Sequence, residues 1–394
     1  MTVVRGRCDA RFEAVRKAFE ENFESRGELG AAVAVFAGGE PVVDLWGGWA
    51  DAAGTREWER DTLVNVWSTT KGVTALVAHL LVEEGQLDLD APVARYWPEF
   101  AAAGKEQLPV RHLLSHRAGL AGLREPLTVA DLYDWESTVA RLAATEPWWE
   151  PGSRSGYHAM TYGFLVGEVI RRVTGRTTGA YLRERVTGPL GIDFAIGLPE
   201  SEDSRVAELV PPQRVEGSEQ SAVFAQLHPA AIAALTNPVL SAADANTAEW
   251  RRAQLPALNG HGTARAVAAL YGILTGAPIG PEGGPEGGPE GGPGLLGRDA
   301  VERVREGQGA CTDLVLGAGF GGETEIALGC WLSGPRRSYG PNPRAFGHDG
   351  YGGSFGLADP ETGISVGYVM NRMGPRIADD PRKMALIEAL YASL

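Results

Sequence analysis

Apolar residues recur at helical intervals between Asp9 and Glu24, at Phe12, Val15, Phe19 and Phe23. This spacing predicts an amphipathic helix packed on a flat surface. The pattern then changes to two short apolar runs, 31–37 and 42–46, separated by Gly38-Gly39. Runs of that length broken by paired glycines predict a β-hairpin. From Ser68 to Glu84 the spacing is helical again, and Gly85 supplies a stop.

Residues 86–275 hold short helical patterns at 110–115, 138–144, 160–173 and 264–274, joined by Pro- and Gly-rich connections. Beyond residue 308 the character changes. The runs 314–316, 327–332, 344–348, 354–358 and 364–370 predict short strands between Gly-rich turns, and 383–394 closes as an amphipathic helix. The expected layout is an α/β layer drawn from residues 1–66 and 308–394 with a helical region, 67–307, inserted between them. A cleft between the two is the default place for a site. Residues 280–294 repeat Gly-Pro-Glu-Gly without one apolar side chain, so a solvated, mobile loop is expected there.

Composition narrows the function classes. The chain has 394 residues, 44% hydrophobic and 22% charged, the profile of an ordinary globular protein. No apolar stretch approaches the roughly 18 residues of a membrane helix, and residues 1–9 lack the apolar core of a secretory signal. A formal charge of −14 argues against nucleic-acid and anionic-membrane partners, which it repels at long range. Cys8, Cys311 and Cys330 are too few and too scattered for a disulfide framework or a zinc site. Idle thiols in a cytoplasmic protein without metal or organic cofactor are the expectation.

Three segments carry candidate chemistry. Ser68-Thr69-Thr70-Lys71 opens the second helix, where unpaired N–H groups and the helix dipole favour developing negative charge. Three residues is about one turn, so the Lys71 amine falls beside the Ser68 hydroxyl. Serine needs a neighbouring base, and a desolvated lysine can be one. The motif alone equally describes an exposed capping serine with a solvated lysine. Tyr157 ends a Pro/Gly-rich loop just before a helix, a position from which a phenol reaches a cleft or merely packs. In Gly347-His348-Asp349-Gly350-Tyr351 the glycines permit close approach of backbone to a ligand, or simply build a tight turn.

Taken together, Ser68-Thr-Thr-Lys71, Tyr157 and His348-Asp349-Gly350 resemble, in order and spacing, the serine β-lactamase and penicillin-binding-protein superfamily. The chain looks most like its class C-related branch, which includes the family VIII carboxylesterases. The stretches 113–120 and 259–265 look typical of that branch, and the resemblance spans about residues 10–390 apart from the repeat. It implies an α+β fold, with an antiparallel sheet built from both chain ends, flanking helices and a mainly helical domain. It also implies that Ser68 is the nucleophile, that Lys71 and Tyr157 form the acid–base pair, and that the backbone N–H groups of Ser68 and Tyr351 hold the oxyanion. His348 then replaces the third-motif lysine beside Gly350 in substrate binding. The second motif departs from the lactamase pattern: Tyr157-His158-Ala159 has alanine where asparagine is usual. That change shifts the expectation from β-lactams toward esters.

Rival readings remain in the same chain. Gly352-Gly353-Ser354-Phe355-Gly356 matches a nucleophile elbow, which requires strand, turn and helix, whereas the pattern here reads strand, turn, strand. His112 and His116 have metal-ligand spacing without a third ligand in view. Trp148 and Trp149, just before the Tyr157 loop, are candidates for an apolar substrate wall. The expected activity is a carboxylesterase-like serine hydrolase acting on a small-molecule ester or amide. An acyltransferase of small-molecule biosynthesis, a β-lactamase or D-amino-acid peptidase, and a non-catalytic binding protein are the alternatives.

Overall fold

The structure, a computed structural model, describes residues 2–212, 227–280, 294–317, 323–335, 338–376 and 378–394. The expected repeat loop lies outside the described residues except for Gly280 and Gly294. The strands are β1 (Val4–Cys8), β2 (Gly30–Ala37), β3 (Glu40–Gly48), β4 (Val64–Asn65), β5 (Phe194–Ile196), β6 (Gly260–Gly262), β7 (Trp331–Leu332), β8 (Phe346–Asp349), β9 (Phe355–Asp359) and β10 (Ile364–Met370). Seven of them form one antiparallel sheet in the order β1-β3-β2-β10-β9-β8-β7. At its centre β2 pairs with β10, Ala37 opposite Ile364 and Ala31 opposite Met370, so the two ends of the chain meet as expected.

Why these strands read as uninterrupted apolar runs follows from their cover. Strands buried on both faces need no polar alternation. The helix Ala264–Ile273 lies on one face: Ser365 Oγ donates to Ala268 O at 2.8 Å, and a Cβ on Gly367 would meet Ala264 O at 2.2 Å. Tyr368 points to the opposite face, as alternate strand residues do. There its hydroxyl reaches the buried Glu28 carboxylate, which also pairs with Arg382 at 3.2 Å. The helices Glu13–Ser25 and Pro381–Tyr391 pack on that face. At the β2–β3 turn, Gly38 and Gly39 have φ of 60° and 90°, the left-handed conformations of a tight hairpin that glycine adopts without strain.

Several expectations are corrected. The N-terminal segment forms an edge strand, β1, held to β3 by backbone pairing while Arg5, Gly6 and Arg7 stay exposed. Residues 314–316 are a turn rather than a strand, because Asp313 draws in the N–H groups of Val315 and Leu316. The run 327–332 is strand only at Trp331–Leu332. A second, three-stranded sheet, β4-β6-β5, was not foreseen. The helix Ala264–Ile273 falls numerically within 67–307 yet packs on the large sheet. Among the described residues no helix is long and apolar enough to cross a membrane.

Candidate active site

The segment that carries Ser68 is fastened before it turns. Asn65 pairs with His261 across β4 and β6, and Val66 N donates to Gly260 O at 2.8 Å. Trp67 then takes φ of +46°, a left-handed conformation that costs a bulky residue about 1–2 kcal/mol. Such strain persists only where the surroundings impose it. Here the buried Trp67 ring is wedged edge-on between Trp250, at 5.3 Å between centroids, and Tyr351, at 5.7 Å. A 3-10 turn, Trp67–Thr69, leads into the helix Thr70–Glu83, and Ser68 sits in that turn.

One turn on, Lys71 has no exposed surface. Its Nζ lies 2.7 Å from Ala159 O, 3.1 Å from Ala257 O and 3.1 Å from Ser68 Oγ. Among the described residues no carboxylate pairs with it, and burial holds its pKa well below the usual lysine value. A neutral amine has two N–H groups and one lone pair. In that form, with both N–H groups donated to the two carbonyls, its lone pair would face the Ser68 hydroxyl.

Tyr157 is buried, and the Lys71 Nζ stands 4.8 Å from the centre of its ring. Its loop is anchored from the far end of the chain. The Asp313 carboxylate accepts the Tyr157 backbone N–H at 3.0 Å and those of Val315 and Leu316 at 2.9 Å, while Leu314 N donates to Ser155 O. Around the phenol stand the rings of His116 at 4.9 Å, His348 at 6.0 Å and Trp331 at 6.1 Å. His158 donates from Nδ1 to Gly156 O and accepts from Leu120 N at Nε2, so it is neutral. Burial pushes its pKa down to about 4.

The turn after β8 completes the group. His348 and Gly350 are buried there, while Tyr351 is 38% exposed and closes over Trp67. Gly350 is glycine for want of space: a Cβ would lie 2.1 Å from Ser354 Oγ and 2.2 Å from Val66 O. From below, Arg382 donates to Gly352 O at 2.7 Å, and the buried Lys383–Asp349 pair, at 2.8 Å, ties the end of β8 to the last helix.

The structure therefore brings Ser68, Lys71, Tyr157, His348, Gly350 and Tyr351 together. Trp149 backs the Tyr157 loop, donating to Arg154 O and meeting His158 edge-on at 6.0 Å. Trp148 is turned elsewhere, donating to Gly122 O under the Arg124 guanidinium. Ser354 stands at the head of β9, in the strand–turn–strand arrangement expected rather than an elbow. His116 Nδ1 accepts the His158 N–H. Among the described residues no group of three or more His, Cys, Asp or Glu is arranged to hold a metal ion. Asp313 and the Ala257 carbonyl escaped the sequence reading. An aspartate two residues before an N–H it accepts is a usable turn signal, but a backbone carbonyl has none.

Comparison with known proteins gives one consistent answer. The Beta-lactamase family matches residues 15–389. The esterase/beta-lactamase LipL of Mycobacterium tuberculosis is 37% identical over 384 residues, covering 94% of this chain and 83% of its own length. Among solved structures, a family VIII carboxylesterase superposes with a TM-score of 0.90 at 42% identity over all of both chains. A penicillin-binding protein homologue from Caulobacter crescentus does so with a TM-score of 0.89 at 43% identity, again over all of both chains.

Proposed function

The chain belongs to the beta-lactamase family, and from that we propose that it is a serine hydrolase that cleaves a small-molecule ester through a covalent acyl-enzyme. The observation that carries this reading is the environment of Lys71: buried, without a carboxylate partner among the described residues, and 3.1 Å from Ser68 Oγ with both neighbouring carbonyls already served. A neutral amine so placed is a base for the serine. The names of the relatives, an esterase/beta-lactamase and a family VIII carboxylesterase, support an ester as substrate.

In the proposed mechanism Lys71 Nζ takes the Ser68 proton as Oγ bonds to the carbonyl carbon. The carbonyl electrons move to oxygen, and the backbone N–H groups of Ser68 and Tyr351 donate hydrogen bonds to the oxyanion so formed. As the oxyanion collapses, the bond to the alkoxide breaks and Tyr157, resupplied by Lys71, gives the leaving oxygen its proton. Water then enters by the reverse proton path and releases the acid. We place this cleft between the sheet layer, which supplies His348, Gly350 and Tyr351, and the helical region, which supplies Ser68, Lys71 and Tyr157. The aromatic rings around Tyr157 suit an uncharged acyl or alcohol group.

The test is intact-mass measurement after exposure to a fluorophosphonate, alongside turnover of p-nitrophenyl acetate. One adduct on Ser68 is expected, with turnover lost in Ser68→Ala. Wild-type turnover in that variant would sink the assignment. Adding alcohols or amines during turnover reads the acceptor, because acylated products would assign transfer rather than hydrolysis.

A further inference from the structure

We infer that Ser354, which a Gly-x-Ser-x-Gly reading would make a nucleophile, is a positioning residue that sets the spacing between the Ser68 turn and the Tyr351 turn. The inference rests on the proposed use of the Ser68 and Tyr351 backbone N–H groups as the oxyanion hole.

Ser354 is 1% exposed, and its hydroxyl proton goes to Val66 O at 2.9 Å. Thr69 Oγ1 lies 3.1 Å from Ser354 Oγ and is the donor of that pair, since a serine has one hydroxyl proton and this one is committed. Val66 and Thr69 stand on either side of Ser68, two residues before it and one after. The backbone of Ser354 fastens the other turn: its carbonyl accepts Gly350 N at 2.7 Å, and Gly353 N donates to Gly350 O at 3.1 Å. One residue thus holds the flanks of the nucleophile and closes the loop that carries Tyr351.

The fit leaves little slack. The missing Cβ of Gly350 is what lets the Ser354 hydroxyl reach Val66 O, because that Cβ would fall 2.1 Å from Oγ. The two turns meet again outside this contact, where the Tyr351 ring closes on Trp67. An oxyanion hole works only when both donors are about 2.7–3.1 Å from the oxygen as charge develops on it. A small change in the spacing of two rigid turns therefore weakens the transition state more than the bound substrate.

The test uses the full-length enzyme, p-nitrophenyl acetate and a fluorophosphonate. In Ser354→Ala, labelling should still fall on Ser68, kcat should drop about 10–100-fold, and KM should stay within about threefold. Thr69→Val keeps the Val66 bond and should show a smaller drop of the same kind; it decides the question if Ser354→Ala does not fold. Unchanged kcat in a folded Ser354→Ala, a loss confined to KM or to the melting temperature, or an adduct on Ser354 would each overturn the inference. No Ser68 adduct in the wild type would overturn the underlying reading and this inference with it.

Discussion

Asp313 accepts the backbone N–H of Tyr157 at 3.0 Å, although 156 residues separate them. The carboxylate is buried and takes two further N–H groups from its own turn, so it welds the Tyr157 loop to the C-terminal part of the chain. Hydrogen bonds to a charged acceptor are worth about 1.5–3 kcal/mol each, and the three share one carboxylate. Asp313→Ala is expected to lower stability by about 2–4 kcal/mol in urea titrations and kcat at least tenfold. Asp313→Asn, which keeps one acceptor oxygen, should fall between. Wild-type kcat in the alanine variant would show that Tyr157 needs no such anchor.

Lys71 sets the pH dependence. Burial lowers its pKa, and in the mechanism we propose the neutral amine is the active form. Ester turnover is therefore expected to rise with pH through that lowered pKa, level off above it, and fall again toward acid as the amine gains a proton. Lys71→Arg keeps positive charge but cannot deprotonate, so kcat should drop by about 1,000-fold or more. The measurement is kcat against pH for both proteins. A lysine acting only by its charge would show the opposite slope.

Stability should respond to acid in a separate window. His79, His158 and His261 are buried, and burial pushes each down to about 4 from an ordinary 6.5. A lowered pKa in a base means the unfolded chain takes protons that the folded chain refuses, so the histidine contribution to stability falls as pH drops from 6.5 to 4 and is constant above. Each histidine contributes a loss of up to about 3 kcal/mol by pH 4. Thermal melts across this range should decline, and His79→Gln, which can still donate to Leu328 O, should flatten the decline. An unchanged melting temperature from pH 7 to 4 would contradict the assignment.

Ala159 bears on the substrate. It lends Lys71 its carbonyl but has no side-chain amide where the lactamase pattern carries asparagine. An unmet substrate amide costs about 1–3 kcal/mol. kcat/KM for p-nitrophenyl acetate is accordingly expected to exceed that for a chromogenic cephalosporin by about 10–100-fold, and Ala159→Asn to narrow the gap. Equal efficiencies would return the protein to the lactamases.

What could be read from the sequence was local or doubly buried. Strand β10 was legible residue for residue because both its faces are covered, and Ser68 and Lys71 because one helical turn joins them. Strand β1 was hidden by its exposed Arg5 and Arg7, since edge pairing is written in backbone rather than side chains. The contributions of Asp313, Ser354 and the Ala257 carbonyl are nonlocal, and the last carries no residue-type signature at all. The catalytic candidates could be named from motifs, whereas the parts that hold them in place could not.

The pairing of β2 with β10 also shapes how the protein is made. Its partners lie more than 300 residues apart, Ala37 against Ile364. At synthesis rates of roughly 5–20 residues per second, the first three strands wait on the order of 15–60 s for their neighbour. Throughout that interval the apolar edge of β2 is an open template for other chains. Centring the sheet on the two paired strands that lie furthest apart in sequence thus leaves that edge uncovered until the chain is nearly complete.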